Sequence, residues 1–401
     1  MRDVYSPKFA IVFACLGHAI MHVLVTLFLT IVLALERVWG IGYDELIELW
    51  TLGALMLGVG APLAGWASDR FGEVRLMILF FLGAGTATIL AGLADGPAML
   101  MVALSFLGLF AAIYHPVGLA WVVRNAIDRG RTLAVVGIMG SIGLALASLI
   151  AGGLSDFSGW RSAFMIPGAV SVAAGLALGW LYLTGQVVDR DSDLVPSVPE
   201  TQADLVRAFV ILLLTMVLSS LFYTAFATVL PKWLSTDIRP AGELDTASVG
   251  LLVTCAYLIG GSGQLVGGWL ADRYPLKWVY AASFLVKIPA ALLAVSAVGW
   301  PVVAIAVVIS FTLDLSGPAE NILLARYSPQ RRRGLIYGLK YVAGFAAAPL
   351  GVAMVAWSYR WYDGPPTLYF WLAGMGALML FGALLLPNDR PKPVPAPAAA
   401  E

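Results

Sequence analysis

Residues 65–75 read Gly-Trp-Ala-Ser-Asp-Arg-Phe-Gly-Glu-Val-Arg and lie between two long apolar runs. Residues 268–277 read Gly-Trp-Leu-Ala-Asp-Arg-Tyr-Pro-Leu-Lys and again lie between two apolar runs. The two Asp-Arg pairs are separated by 203 residues, and Pro116 and Pro318, each eight residues before an arginine, are separated by 202. A repeat of half the chain length predicts two structurally related halves.

The composition indicates that both halves lie in a membrane. Of the 401 residues, 60% are hydrophobic and 12% are charged, whereas soluble domains carry roughly 25% charged residues. A bilayer-spanning helix needs about 20 mainly apolar residues, and none of the apolar runs alternates like the strands of a barrel. We therefore predict an all-α membrane protein with twelve transmembrane helices, at about 8–35, 45–68, 74–94, 97–123, 132–155, 161–183, 206–232, 247–270, 276–297, 301–325, 334–357 and 366–386.

A polar segment divides the twelve spans into six and six. Residues 185–204 contain five acidic residues and two prolines, a composition typical of a solvated cytoplasmic linker. The linker separates an N-terminal half, 1–184, from a C-terminal half, 205–387. The Pro/Ala-rich tail, 388–401, is predicted to be disordered. Two related halves in a membrane protein are typical of a secondary transporter.

Lysine and arginine are unevenly distributed about the spans. Seventeen fall on the side that holds both termini and the linker, five on the other side and two within spans. The positive-inside rule therefore places both termini in the cytoplasm. The first apolar run is too long for a cleavable signal and lacks a small-residue cleavage site. We expect a monomer in a bacterial-type cytoplasmic (inner) membrane, with the lipid bilayer as a partner and no nucleic acid.

The loop at 65–75 has the pattern G-x-x-x-D-R-x-G-x-x-R and follows the second span. Together with the twelve predicted helices and the central linker, this loop makes the sequence resemble the major facilitator superfamily over nearly the whole chain. The resemblance implies a conformational latch in which Asp69 pairs with Arg124 on helix 4 and faces the N-terminal end of helix 11. These contacts would lock the outward-facing state. In the second copy, Pro275 stands where the motif has glycine. The predicted latch residues are Gly65, Asp69, Arg70, Gly72, Arg75, Arg124, Asp272, Arg273 and Arg326.

All three histidines are predicted to lie within the membrane. His18 and His22 are four residues apart and so share one face of helix 1, while His115 lies on helix 4. The short stretches around them, Leu16-Gly17-His18 and Ile113-Tyr114-His115-Pro116, resemble the fosmidomycin-resistance-like branch of the superfamily. Helices 1 and 4 line the central cavity in this fold, so we expect the imidazoles to converge there and bind substrate or a proton.

The alternative for each histidine is a hydrogen bond to a backbone carbonyl and a role in packing alone. No carboxylate or thiolate joins the three at a readable spacing, so we expect neither a metal site nor a cofactor. Glu36 and Arg37 lie at the outer end of helix 1, where we expect them to face water.

The C-terminal half carries charged groups within its spans. Asp314 lies near the middle of helix 10, and Glu320 and Asn321 follow Pro318 on the same helix. Lys340 on helix 11 is at about the depth of Glu320, which predicts a Glu320–Lys340 ion pair. Asp314 has no lysine at its depth on helix 11 and is the better proton carrier. The alternative is an ion-pair network that only holds the helices together.

Lys287, in the middle of helix 9, either pairs inward with Asp314 or extends towards the membrane surface, and we favour pairing. The cavity predicted from these groups mixes imidazoles, carboxylates and a lysine. It favours proton-coupled secondary transport of a small organic anion or zwitterion by alternating access. Efflux of a drug or amphipathic compound is the nearest alternative. A non-transporting sensor or assembly factor is another, and an enzyme is not expected because no nucleophile–base pair is readable.

Overall fold

The computed structural model describes residues 7–126, 129–189, 203–238, 244–327 and 333–387. In the N-terminal half, the spans begin and end close to the predicted positions. Its helices are α1 (Pro7–Thr26), α2 (Phe28–Trp39), α3 (Tyr43–Phe71), α4 (Glu73–Gly92), α5 (Pro97–Ala111), a π-helical segment (Tyr114–Gly118), α6 (Leu119–Asn125), α7 (Arg129–Ser158) and α8 (Trp160–Leu183).

The C-terminal half repeats this arrangement of long apolar helices. Its helices are α9 (Ala203–Asp237), α10 (Thr246–Gly260), α11 (Ser262–Arg273), α12 (Leu276–Ala294), α13 (Pro301–Arg326), α14 (Arg333–Trp361) and α15 (Pro365–Leu384). Eleven membrane-length apolar segments are found among the described residues. Helix α14, 29 residues long, completes twelve. The predicted all-α fold of twelve transmembrane helices in two halves is therefore confirmed.

Three of the spans are interrupted. The first bends at Leu27 between α1 and α2, and the eighth is divided between α10 and α11 at Gly261. In the fourth span, the π-helical segment contains Pro116, which has no N–H to donate to the helix ladder. Such a widened turn is frequent at functional sites because it re-aims the neighbouring side chains. His115 lies within this segment.

Glycines allow the helices within a half to approach closely. A Cβ placed at Gly108 on α5 would lie 2.7 Å from the carbonyl carbon of Gly53 on α3, well inside van der Waals contact. Close backbone approach at small residues is the usual packing of membrane helices. Large apolar side chains such as Leu63, Leu176 and Leu285 are instead exposed on the outside of the bundle, where a bilayer would cover them.

The two halves are joined by ion pairs at one end of the bundle, the end that holds Glu36. Lys232 on α9 contacts the Glu36 carboxylate at 2.6 Å, with only 15% of the lysine side chain exposed. Arg360 on α14 contacts Asp44 at 3.0 Å and binds both oxygens of Glu48. The pairs cross from the N-terminal to the C-terminal half, so they close this end.

Hydrogen bonds complete the closure at the Glu36 end. Arg37 donates to the Thr246 hydroxyl, and the Ala247 amide donates to Asp156 at 2.6 Å. Arg37 is exposed, as expected, whereas Glu36 is only partly exposed and is paired with Lys232. Their partners lie in the other half of the chain, about 200 residues away, and helix spacing alone cannot indicate them.

Candidate functional site

A cavity of about 280 Å³ lies between the two halves. His115 comes from the N-terminal half, and the rest of the described wall comes from α9, α13 and α14. These wall residues are Met216, Ser219, Ser220, Tyr223, Leu313, Asp314, Ser316, Gly317, Glu320 and Gly344. The volume is close to the lower end of the usual range for ligand pockets, roughly 300–1,000 Å³. The cavity therefore suits a small solute.

Asp314 faces this cavity from the middle of α13. Tyr223 on α9 and Tyr257 on α10 both interact electrostatically with its carboxylate. The Tyr257 hydroxyl is buried and has no hydrogen-bond partner among the described residues. A buried hydroxyl without a hydrogen-bond partner is costly, but Tyr257 is not among the described residues of the cavity wall.

Glu320 lies about one and a half turns further along α13 and is more deeply buried, with 7% of its surface exposed. The Tyr280 hydroxyl on α12 donates a hydrogen bond to its Oε2 at 3.1 Å. The predicted partner, Lys340, has a side chain outside the described part of the chain, so the Glu320–Lys340 pair stays a prediction. Asn321 is exposed, and the described wall of the cavity does not include it. The placement of Asn321 in the cavity therefore stays a prediction.

Lys287 on α12 is completely buried, which excludes extension towards the membrane surface. Its ammonium lies 5.2 Å from the Phe222 ring centre and 5.0 Å from that of Phe284, both cation–π distances. It interacts electrostatically with Glu320 and Asp314 but makes no described hydrogen bond. A direct ion pair with Asp314, favoured by the sequence, is therefore not made, although the lysine does point inward.

The three histidines form one cluster at the edge of the cavity. The ring centres of His18 and His22 are 4.9 Å apart, and that of His115 is 5.3 Å from His18 and 5.7 Å from His22. One ring nitrogen from each lies within 4.8 Å of the other two. The predicted convergence of helices 1 and 4 at the histidines is therefore present. The three rings each offer one nitrogen that could bind a metal ion.

Neighbouring residues fix the His18 ring. Its Nδ1 lies 2.7 Å from the carbonyl oxygen of Val136 on α7, and Tyr114 stacks on the ring at 4.9 Å and 17°. The Tyr114 hydroxyl in turn donates to the Ala14 carbonyl at 2.7 Å. Gly140 leaves room for the ring, because a Cβ there would lie 2.6 Å from both imidazole nitrogens. Orientation from two sides makes this histidine a rigid part of the cluster.

The repeated loop takes a different arrangement from the predicted latch. Arg124 contacts the Glu73 carboxylate at 3.0 Å, and Glu73 is almost completely buried. The Asp69–Arg124 pair, expected for the outward-facing state, is not made in this conformation and stays a prediction for the other one. Asp69, Glu73 and Arg124 do line one hollow with Asp189. Glu73 begins α4, where the helix dipole favours a carboxylate. That position in the first turn is the feature from which the sequence reasoning could have found it.

The other residues of the first loop hold the segment that follows α8. The Asp189 carboxylate accepts a hydrogen bond from the Val74 amide at 2.8 Å and so caps α4. Gly72 has φ of 89°, and a Cβ there would lie 2.7 Å from Asp189 Oδ1. Arg75 donates to the Tyr182 hydroxyl at 2.8 Å. These contacts explain why the motif has glycine at position 72 and arginine at position 75.

Three predicted latch residues make contacts near their own helices. Gly65 lies against Pro116, with 3.8 Å between its ideal Cβ and the proline Cβ. Arg70 lies 5.8 Å from the Phe71 ring centre. In the second copy, Arg273 lies 4.5 Å from the Trp269 ring centre on the same helix. The part of the chain that the structure describes gives no contact that joins Asp272 to Arg326.

The chain matches the family model described as Major Facilitator Superfamily at residues 14–238 and again at 212–401. An MFS-type efflux pump of Mycolicibacterium smegmatis is 33% identical over 52% of this chain and 51% of its own length. A puromycin resistance protein of Streptomyces alboniger is 30% identical over 33% of this chain and 28% of its own length. A probable L-galactonate transporter of Escherichia coli is 24% identical over 60% of this chain and 56% of its own length. The chain thus spans about half or less of the curated relatives it matches.

The fold has a close counterpart among solved structures. A bacterial homolog of the human lysosomal transporter Spinster, in an inward-facing and unoccupied conformation, superposes with a TM-score of 0.72. It is 15% identical to this chain and covers 96% of it, with 95% of its own chain covered. Together with the family match over nearly the whole length, this shows that the chain belongs to the Major Facilitator Superfamily of membrane transporters.

Proposed function

We propose that the protein is a proton-coupled secondary transporter for a small organic zwitterion or anion. The observation that carries this proposal is the opposition of ionisable groups across the central cavity. His115 faces it from the N-terminal half, and Asp314 and Glu320 face it from the C-terminal half. A zwitterion can place its ammonium against the carboxylates and its own carboxylate against the imidazole, and so bridge the halves.

Asp314 is the proposed proton carrier. It lines the cavity, so water can reach it, and Lys287 behind it interacts with its charge. When Asp314 is ionised, its negative charge is balanced by the buried Lys287 ammonium. When Asp314 is protonated, the charge of that ammonium is balanced by Glu320 instead. Protonation thus changes the charge between the halves, and a ligand or proton shifts a conformational equilibrium by its different affinity for the two states.

We infer that the conformation is inward-facing. The end closed by the Glu36–Lys232 and Arg360 contacts is the one with fewer basic residues, which the positive-inside rule places outside the cytoplasm. The repeated loop then lies on the cytoplasmic side of an inner membrane, with both termini. In the opposite conformation, Asp69, Arg70 and Arg75 with Arg124 form the proposed latch, and Asp272, Arg273 and Arg326 its second copy.

Efflux of an amphipathic cation is the second candidate. The two carboxylates in the described cavity wall favour it, as do the relatives named as an efflux pump and a resistance protein. The volume of about 280 Å³ favours a small solute instead. The relative named as a probable L-galactonate transporter is also consistent with a small solute.

The first experiment measures the thermal midpoint of the purified protein against a panel of carboxylates, phosphonates, amino acids, sugars and amphipathic cations at two pH values. A ligand that binds the folded state raises the midpoint with its concentration. A shift confined to amino acids or carboxylates supports the proposal, and one confined to amphipathic cations supports efflux. No shift with any class contradicts both and favours a non-transporting role.

The second experiment tests coupling in proteoliposomes loaded with a solute found in this way. Asp314→Asn should abolish accumulation driven by a pH gradient but retain exchange of labelled for unlabelled solute, because exchange needs no net proton movement. Asp95→Asn, at an exposed loop position of the N-terminal half, is the matched control and should retain both. Accumulation that survives Asp314→Asn would show that another group carries the proton.

A further inference from the structure

We propose that His18, His22 and His115 form a binding site for a late first-row divalent transition-metal ion such as Zn²⁺, Co²⁺ or Ni²⁺. Imidazole nitrogen is a preferred ligand of these ions. The inference goes beyond the proposed transport cycle, because metal binding can be measured on the purified protein without a solute. The site lies in the N-terminal half, between α1, the π-helical segment and α7.

The geometry of the three rings is close to that of a metal site. Three nitrogens no more than 4.8 Å apart lie at most about 2.8 Å from a common centre, against a zinc–nitrogen bond of about 2.0–2.1 Å. Each nitrogen therefore has to move inward by less than about 1 Å. Small changes in side-chain torsion supply this, and no helix has to move.

The second observation is the state of the His18 ring. Its Nδ1 donates to the Val136 carbonyl at 2.7 Å, which leaves the lone pair on Nε2. Only 9% of the His18 surface is exposed, and its Nε2 has no hydrogen-bond partner among the described residues. Metal-bound histidines almost always donate the second ring N–H to a carboxylate or backbone carbonyl, as His18 does.

The cluster borders the central cavity through His115. His115 belongs both to the cluster and to the wall of the central cavity, so an ion can reach the site from the cavity. Three protein ligands leave at least one coordination position for water or for a carboxylate of a bound solute. An ion held there would make the N-terminal wall positively charged and opposite to Asp314 and Glu320.

The test uses full-length, metal-depleted protein carrying an affinity tag without histidine, because the chain itself contains only three histidines. Titration with Co²⁺ should give one equivalent bound, with visible ligand-field absorption that one equivalent of Zn²⁺ displaces. Pulsed electron paramagnetic resonance of the Cu²⁺-loaded protein should detect coordinated imidazole nitrogens. This spectroscopic result needs no variant and so does not depend on a variant's folding.

Variants assign the ligands. His22→Ala should abolish the saturable Co²⁺ signal. Gly140→Ala should weaken affinity by about 10- to 100-fold, because the new methyl group displaces the His18 ring and its supporting hydrogen bond. Gly137→Ala, one turn earlier on α7 where a Cβ meets nothing within 4 Å, is the matched control and should bind as the parent does.

Several results would overturn the proposal. They are the absence of a stoichiometric Co²⁺ complex, unchanged affinity in both His22→Ala and Gly140→Ala, and Cu²⁺ spectra without imidazole nitrogen. A cobalt–thiolate band that disappears in Cys15→Ser would assign the ion to Cys15 on α1 instead. None of these outcomes bears on proton-driven accumulation, so failure here leaves the proposed transport function to its own test.

Discussion

Two adjacent glycines on α7 provide a direct test of how the halves close. A Cβ at Gly152 would collide with the carbonyl oxygen of Thr246 on α10 and lie 2.7 Å from its carbonyl carbon. A Cβ at Gly153 meets nothing within 4 Å. We therefore predict that Gly152→Ala shifts the protein away from the conformation closed at the Glu36 end, whereas Gly153→Ala does not.

The size of the shift follows from the contact. Carbon atoms attract best at about 3.5–4.0 Å, so α7 and α10 have to separate by about 1 Å to admit the methyl group. Overpacking of this kind typically costs about 1–3 kcal/mol, which corresponds to a change of roughly 5- to 150-fold in the ratio of closed to open states. The gain in helix propensity from Gly to Ala is common to both variants and cancels in the comparison.

Spin-label distances measure the two populations. Labels at Val38→Cys on α2 and Trp361→Cys at the end of α14 lie on opposite halves at the Glu36 end, and both positions are exposed, by 62% and 71%. The native Cys15 and Cys255 are first replaced by alanine. Gly152→Ala should move the distance distribution towards longer values, and Gly153→Ala should reproduce that of the parent.

The reasoning is refuted if the two alanine variants give the same distribution. If Gly152→Ala leaves the short distance dominant, the α7–α10 contact is not a determinant of closure. If Gly153→Ala opens the protein as strongly, the effect belongs to helix propensity and not to the contact. Retention of monodisperse folded protein in both variants is the condition for the comparison.

The remaining predictions concern charged groups. Lys232→Met should lower the ratio of closed to open states at the Glu36 end by about fivefold, because the pair it removes is worth about 1 kcal/mol. The same spin-label distances measure this ratio. Arg161→Met, which breaks an exposed pair within the N-terminal half, should leave the ratio of closed to open states unchanged. Glu73→Gln should lower the thermal midpoint more than Asp69→Asn, because the Glu73 carboxylate pairs with Arg124. A larger loss in Asp69→Asn would contradict the observed pairing. Hydrogen bonds from the first turn of α10 hold the pKa of Asp245 below its ordinary value of 3.8. Its stabilisation is complete above that pH and is lost as the pH falls through the lower pKa of the folded state. Asp245→Ala should therefore cost about 1 kcal/mol near neutral pH and converge on the parent in thermal scans in strong acid.

The histidines illustrate how far the sequence predicts the site. The i,i+4 spacing places His18 and His22 on one face of α1, because helical periodicity is a local property. His115 follows 93 residues later, and its distance from the pair depends on how the fourth span widens at Pro116. The resemblance to the superfamily brings helices 1 and 4 together, but it does not give ring distances or the hydrogen bond to Val136. The sequence alone therefore offers no reason to expect the metal site that we propose from these distances.

The sequence by itself determined the twelve spans, the two halves and the repeated loop, because span length, apolar composition and a repeat of 203 residues are properties of the chain alone. Only the tertiary structure decided that Arg124 meets Glu73, that Lys287 points inward and that Glu36 meets Lys232. The physical reason is that membrane helices are apolar all round, so sequence periodicity does not indicate which face meets which neighbour. Contacts between helices distant in the chain depend on rotation and close approach, and these are settled by packing.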